Sequence, residues 1–577
     1  MAARKARPEW VADTEATTDP SDCRVWAWGA ARVGDTSSFV YGNSIDGLMQ
    51  HMFDNPGRYW FHNLKYDVAF IFVWLAEHGY AWVKDKPTAA NEYTTLIDGL
   101  GKVYRVQIGR GVVLADSFKK IAMGVASVAK TYKLAYGKGE IDYDAPREPG
   151  HVLTDEELDY LRRDVCIMAQ AMASRLADGN KLTTASDCLE RYKAMVGEAY
   201  SRYFPVLNQL QDTYIRRAYY GGWVYVNPLI KGRDLGEGGR LDVNSLYPWA
   251  LSCCDMPVGK PIYFKGAPPV DGRYWVAEVT INAQLRPGKY PCIQTKAAFL
   301  TGSAEYGTTV DSETFYVCSV DWELWCEMYE IDILAWGGGF AFDHAAGLFT
   351  DYVQTFMTIK ATSTGGARYQ AKLMMNSLYG RFGLKTVVSG KRPCVDADRV
   401  LHYESMDTEE REGVYIPVAV FCCAHARAKT VRAACAFGER FCYADTDSIH
   451  FTGSEIPECI EVHQTRLGAW KYEARFSKAR FVRPKTYVEC EDTPDGPTYD
   501  YKCAGMAQAM KDIMKFDDFK LGFTTRPCTY VSRETECPFH VKRGSCEGCY
   551  SNTKYWGLRP KNVPGGVVLV PSPFSIK

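Results

Sequence analysis

The sequence predicts a multidomain chain mixing α/β and α+β architecture, and three observations carry that expectation. The chain is 577 residues long, about four folding units at roughly 150 residues each. Hydrophobic residues make up 46% and charged residues 24%, the balance of a globular protein and not of a disordered tail, a fibre or a bundle of membrane spans. Short strand-like runs also alternate with helical periods and turn-rich joints along the whole length. No apolar run approaches the length of about 18 residues needed to cross a bilayer. Residues 1–9 are basic and lack an apolar h-region, so no secretory signal is expected. The 68 Lys and Arg against 69 Asp and Glu give a net charge of -1. Any nucleic-acid partner must therefore be held by local basic patches. Twenty cysteines without an export signal read as reduced thiols, with Cys166, Cys422 and Cys435 acting as small hydrophobes.

In chain order, residues 24–28 and 103–108 read as strands and residues 67–78 as a buried helix. Thr154-Asp155-Glu156-Glu157 is a capping box; it opens a helix with Leu158, Leu161, Val165, Met168 and Ala169 near the 3.6-residue period. Gly232 to Gly239 is turn-rich and precedes a strand at 240–243. Residues 256–346 are aromatic and strand-like, as an inserted module would be. Gly365-Gly366 precedes a helix over 367–382, stopped by Gly383. Residues 441–451 read as a strand, a tight acidic turn and a returning strand. The Pro- and Gly-rich text from Pro560 to Pro573 predicts an extended C-terminal piece.

Three segments carry one constellation: Asp242-Val243-Asn244-Ser245-Leu246-Tyr247-Pro248 at a strand end, Lys372 to Gly380 on a helix, and Tyr443-Ala444-Asp445-Thr446-Asp447-Ser448 at a hairpin tip. Nucleotidyl transfer needs two divalent ions about 3.5–4 Å apart, and Mg²⁺ prefers carboxylate oxygens and substrate phosphates. Asp445 and Asp447, two apart on an extended turn, point to one side, and Asp242 from a neighbouring strand completes the set. An Asp in a hairpin turn is by itself only turn chemistry; the three segments together make the signal. On the helix, Arg368, Lys372, Asn376 and Tyr379 form one stripe, opposite Ala371, Met374, Met375 and Leu378. Cations one turn apart bind successive phosphates, and Tyr379 with Gly380 offers a ring and a close backbone approach to a base pair.

A second constellation lies nearer the N-terminus. Asp13-Thr14-Glu15 places two carboxylates on one face of a strand end. Asn63 and Asp67 are expected one turn apart at the start of the next helix, and Tyr160 and Asp164 one turn apart on the capped helix. Asp13, Glu15, Asp67 and Asp164 together suit two ions that activate water against a phosphodiester. Lys471, Arg475, Lys478, Arg480, Arg483 and Lys485, interleaved with Tyr472, Phe476 and Phe481, are expected to neutralise backbone phosphates. Cys528, Cys537, His540, Cys546 and Cys549 contain a Cys-x₂-Cys pair and suit tetrahedral Zn²⁺, with Cys528 and His540 as alternative fourth ligands.

The spellings DVNSLYP, KLMMNSLYG and YADTDSIHFTG, in that order, resemble motifs A, B and C of family B DNA polymerases, of the protein-primed bacteriophage type. DTE, HNLKYD and YLRRD resemble the three motifs of that family's 3′→5′ exonuclease. Lys485-Thr486-Tyr487 and the closing Pro564 to Val570 resemble the same subgroup, so the likeness runs over most of the chain. It implies an RNase H-like exonuclease domain (1–183) followed by a right-hand polymerase. The palm would span 184–255 and 416–519, the fingers 347–384, and the thumb with a Cys-rich insertion 520–577. Two terminal-protein-region insertions would occupy 256–346 and 385–415. The first would contact the priming protein; the second would encircle template and displace the downstream strand.

Carried over residue by residue, Asp242, the Val243 position and Asp447 would hold the metal, with Asp445 beside them. Lys360 and Lys372 would contact the incoming dNTP, Tyr247 would gate the sugar by shape, and Asn376 and Tyr379 would line the nascent pair. Lys485 and Tyr487 would hold the primer end, and Asn63 would contact the strand being edited. Lys138 would assist the exonuclease carboxylates and Tyr160. Tyr220, Gly221 and Gly222 would form the linker that partitions DNA between the two sites. The resemblance further implies Mg²⁺ or Mn²⁺, two ions per active site, with template and primer DNA and a separate terminal protein as partners. The host cytoplasm of a phage with a linear genome would be the location, with no membrane. A family B polymerase primed by ordinary oligonucleotides would share every catalytic residue. A non-catalytic nucleic-acid-binding protein is the alternative of a different class, and intact carboxylates at both sites argue against it.

Overall fold

The computed structural model describes residues 7–296, 304–525 and 550–577. The five Cys and His residues expected to bind zinc lie outside the described residues.

The first unit is built on an eight-stranded mixed sheet. Its strand Glu9–Ala16 pairs antiparallel with Val25–Arg32 and parallel with Arg58–Phe61. Val112–Asp116 and Val103–Ile108 follow on the far side. Side-chain alternation sorts the faces of Glu9–Ala16. Trp10 and Ala12 pack with Met49 and Val68, which lie on the helices Ile45–Asp54 and Asp67–Glu77. Val11 packs on the opposite face with Leu161, Val165 and Met168, all on the helix Asp155–Ala177. Asp13 and Glu15 share the parity of Val11 and so face that helix. The capping box forms as expected: the Thr154 side chain accepts from the Glu157 N–H at 3.2 Å, and the Glu157 carboxylate accepts from the Thr154 N–H at 3.0 Å.

A five-stranded antiparallel sheet occupies the middle of the chain, ordered Trp470–Phe476, Gly238–Val243, Ser448–Thr452, Phe441–Asp445, Val224–Val226. The predicted hairpin over 441–451 supplies two of its three inner strands. The helix Pro417–Phe437 packs against it, buried along most of its length; its many alanines allow the close approach. Between residues 256 and 345, the strands Met256–Phe264, Tyr329–Ala345, Tyr274–Leu285 and Thr309–Cys318 form a four-stranded antiparallel sheet, accompanied by the helix Ser319–Met328. This segment is not an isolated module: its Val279, Ile281 and Trp325 share one core with Leu241 and Phe451 of the central sheet.

The helices Thr350–Thr362 and Gly365–Phe382 follow. The second begins at Gly365 itself, two residues earlier than the sequence predicts, because glycine tolerates the φ of 61° taken there. Residues 387–410 are a single hairpin, Val387–Val395 with Leu401–Glu410. Beside the central sheet lies a four-stranded sheet ordered Asp234–Leu235, Lys478–Arg483, Thr486–Thr493, Gly496–Cys503. The expected extended C-terminal piece is the hairpin Gly557–Val563/Gly566–Ser572. Its Val563, Val567 and Val568 enter the core of the N-terminal sheet, so the last hairpin docks on the first unit.

Candidate active sites

At the first site, strand register does the positioning. Asp242 and Asp445 both pair with Ser448, from opposite sides of its strand, so Asp242, Asp445 and Asp447 converge at one end of three adjacent strands. The tip is tight: the Asp447 N–H donates to the Asp445 carbonyl oxygen at 2.7 Å, and Thr446 takes a left-handed φ of 63°. Gly222 abuts this tip, where an added Cβ would lie 2.6 Å from the Thr446 side chain; only glycine permits that approach. The carbonyl oxygens of Tyr220 and Gly221 accept from Arg427 at 2.6 and 2.7 Å, which fixes the linker against the helix Pro417–Phe437.

Burial first, and then the facing Asp447 charge, pushes the Asp242 carboxyl up to about 7. Asp447 is raised as well, again chiefly by burial. Asp445 is held differently: Lys485 Nζ donates to its two oxygens at 2.7 and 3.0 Å, and the Tyr443 hydroxyl donates to it at 3.2 Å. Val243 is buried, and its N–H donates to the Asp447 carbonyl oxygen at 2.8 Å. Tyr247 and Tyr379 stack with ring centroids 3.9 Å apart. Lys360 Nζ lies 3.5 Å from Ser245 Oγ, and its pKa is lowered by burial and then by Lys372 and Arg368. Asn376 Oδ1 is buried with no hydrogen-bond partner, and Lys372 is exposed. The predicted apolar face, Ala371, Met374, Met375 and Leu378, is buried.

The second site is a cavity of about 1060 Å³ walled by Asp13, Glu15, Asn63, Asp67, Lys138, Tyr160 and Asp164. Asp67 heads its helix and accepts from the Thr14 main-chain N–H at 3.2 Å and hydroxyl at 2.7 Å. Burial, reinforced by Asp67, Glu15 and Asp164, raises Asp13 well above the carboxylate range. Burial and Asp164 push Glu15 up to about 8; burial pushes Asp67 up to about 7. Lys138 Nζ pairs with Asp164 at 3.2 Å and lies 5.6 Å from the Tyr160 ring.

Two expectations need correction. Asn63 does not open the helix: it stands in the preceding turn at φ 71°, because the Asp116 carboxylate accepts from its N–H at 3.1 Å and pins that left-handed conformation. The basic stretch is also less open to phosphate than its spelling suggests. Lys471 pairs with Glu473, and both Lys478 and Arg480 pair with Asp234, a partner 244 to 246 positions away in sequence. Arg480 is buried and donates to the Phe516 carbonyl oxygen.

Sequence reasoning missed Asp116, missed Tyr143, whose hydroxyl is 2.7 Å from that of Tyr160, and missed the C-terminal wall of the second cavity, which includes Asn552, Lys554, Trp556, Leu569 and Pro571.

Among the described residues, no three His, Cys, Asp or Glu side chains already form a tight ligand shell. The donor sets still fit a hard divalent cation. Every candidate ligand side chain is a carboxylate, crowding raises their proton affinity, and Asp164 Oδ1 is buried without a hydrogen-bond partner.

The chain thus carries two separate carboxylate clusters suited to divalent cations, and the comparisons with known proteins give its family. The family model described as DNA polymerase type B, organellar and viral, matches residues 49–465, and the chain belongs to that family; it is a DNA polymerase. Polymerases of this family generally use divalent metal ions. The DNA polymerase of Bacillus phage Nf is 35% identical over 604 residues, covering 99% of this chain and 100% of that protein. The DNA polymerase of Bacillus phage phi29 is 34% identical over 603 residues, covering 99% of each. The solved structure of Phi29 DNA polymerase complexed with primer-template DNA and incoming nucleotide substrates matches with a TM-score of 0.89 at 34% identity, covering 99% of this chain and 100% of that one. The multidomain α/β expectation agrees with that match. Among the described residues, no helix is long and apolar enough to cross a membrane.

Proposed function

We propose that the chain is a protein-primed replicative polymerase that extends DNA at Asp242, Asp445 and Asp447 and edits it at Asp13, Glu15, Asp67 and Asp164. The observation that carries this reading is the strand register that gathers three aspartates at one sheet end, where the Asp447 charge raises Asp242 and the Asp445 charge raises Asp447. In this reading residues 1–183 are the exonuclease; palm, fingers, thumb and the two insertions follow with the boundaries given above. Mg²⁺ or Mn²⁺, two ions at each site, would supply charge stabilisation to phosphoryl oxygens.

The side chains do the rest. Asp242 and Asp447, with the Val243 main chain, would hold the cations, while Lys485 keeps Asp445 in place. Lys372 and Lys360 orient the dNTP phosphates, and the primer 3′-hydroxyl attacks the α-phosphate with pyrophosphate leaving. Tyr247, braced on Tyr379, excludes a 2′-hydroxyl; Asn376 meets the nascent pair through its unpartnered oxygen. In the editing cavity Lys138 neutralises Asp164 and, with Tyr160, orients the attacking water, while Asn63 meets the frayed strand. Tyr220 to Gly222, packed against the hairpin tip, partitions the strand. The first priming hydroxyl belongs to a terminal protein, and synthesis with strand displacement copies a linear phage-type genome in the host cytoplasm.

Asp447→Asn should lower primer extension by about a thousandfold, as loss of several kcal/mol of charge stabilisation requires, while single-strand degradation persists. Asp13→Ala with Asp67→Ala should do the reverse. Retained extension in the first variant, or retained degradation in the second, refutes that site. Labelling of a terminal protein by one radioactive dNTP separates protein priming from oligonucleotide priming.

A further inference from the structure

Beneath the hairpin tip lies a buried charged cluster that none of these roles uses. Glu489 accepts from His450 Nδ1 at 2.6 Å on one oxygen and from Arg240 Nη1 at 2.7 Å on the other. Arg240 reaches on to Asp500 at 3.5 Å. His450 is 0% exposed and Glu489 5%. Arg240 and His450 stand on the central sheet, two residues before Asp242 and three after Asp447; Glu489 stands on the neighbouring sheet, two residues after Tyr487.

The cluster therefore ties two sheets together where each carries functional side chains. His450 has no other polar hold, since its Nε2 is buried without a partner. Its ring lies 5.1 Å from Tyr443 and 4.9 Å from Tyr487. Tyr443 in turn accepts from the Lys485 N–H at 3.0 Å and donates to Asp445. Apolar side chains of the same volume would fill this space at no desolvation cost, so a buried ion cluster here is weak evidence for stability and better evidence for register. We propose that Glu489, clamped by Arg240 and bonded to His450, is a positioning residue that fixes the strand carrying Tyr487, and the turn before it that carries Lys485, against the hairpin carrying Asp445 and Asp447. It thereby sets where the primer end lies. This rests on the extension role of that hairpin.

The test uses the full chain on primer–template DNA, with single-strand degradation as the control for folding. Arg240→Val with Glu489→Leu removes both charges and the acceptor. Arg240→Val with Glu489→Gln removes the charges and keeps an acceptor for His450. His450→Phe keeps a ring and removes the bond. The Leu double variant and His450→Phe should raise the KM for primer–template about tenfold, with kcat within about twofold and unchanged single-strand degradation. The Gln double variant should return to the wild-type KM. Wild-type KM in the Leu double variant or in His450→Phe overturns the proposal, as does a Gln double variant impaired like the Leu one. Should the Leu variant lose degradation too, and so be misfolded, His450→Phe and the Gln variant decide on the same terms. Asp445→Ala run in parallel separates the two readings. If it still extends primers, the extension role itself falls; if extension is lost while the cluster variants behave as wild type, only the clamp falls.

Discussion

His425 sits on the buried helix Pro417–Phe437, its Nε2 3.4 Å from the Tyr274 hydroxyl, and burial pulls its pKa from the ordinary 6.5 to about 4. Asp255, Asp321 and Arg432 are the charges that act on it there. Because the folded value is the lower one, the unfolded chain takes up the proton first. Stability from this residue is therefore intact above pH 6.5 and falls as the pH drops toward 4, by roughly 3 kcal/mol in all. His425→Gln should flatten that loss, seen as a smaller Tm difference between pH 7 and pH 4.5 than in the wild type. Equal slopes for both proteins would refute the assignment. The buried carboxylates at the two sites titrate in the opposite sense, and the comparison of variant with wild type removes them. At this scale the acids of both sites were legible because their type and spacing carry the chemistry. Arg480 and Glu489 were not, because whether a charge faces solvent or a partner such as Asp234 or Arg240 depends on strands distant in sequence.

Among the elements, the ones with local causes were readable. The helix Asp155–Ala177 starts at a capping box that forms as spelled, and Glu157 also binds Arg147 and His151 at 2.8 and 2.7 Å. Thr154→Ala should cost about 1 kcal/mol through the lost cap. Tyr160 and Asp164 lie on the same helix, so single-strand degradation should lose heat resistance before extension does. Activity half-lives measured at rising temperature check this, and parallel losses of both activities would count against it. The hairpin over 441–451 was readable from its acidic turn between apolar runs. The start of the helix at Gly365 and the turn that holds Asn63 were not. Both are left-handed backbone positions, one allowed by the lack of a side chain, the other imposed by Asp116 from a strand 53 residues away.

Across the whole molecule, the charge balance extends to local pairing: four of the six cations of the basic stretch, Lys471, Lys478, Arg480 and Lys485, are paired with carboxylates. The C-terminal hairpin closes on the first unit instead of extending away from it. An added Cβ at Gly566 would lie 2.3 Å from the Phe70 ring, and Phe70 is 3% exposed. Phe70→Ala should destabilise this junction by about 3–5 kcal/mol and expose the hairpin to limited proteolysis; unchanged protection would show that the docking rests on other contacts. By itself the sequence determined the two sets of carboxylates, the elements that carry them and the family, because these depend on residue type at short spacing. Only the tertiary structure decided which cations of the basic stretch are paired, how residues of the 256–345 segment share the central core, and that the C-terminal hairpin helps wall the second cavity. Those outcomes are set by long-range burial and pairing, which local spacing does not encode.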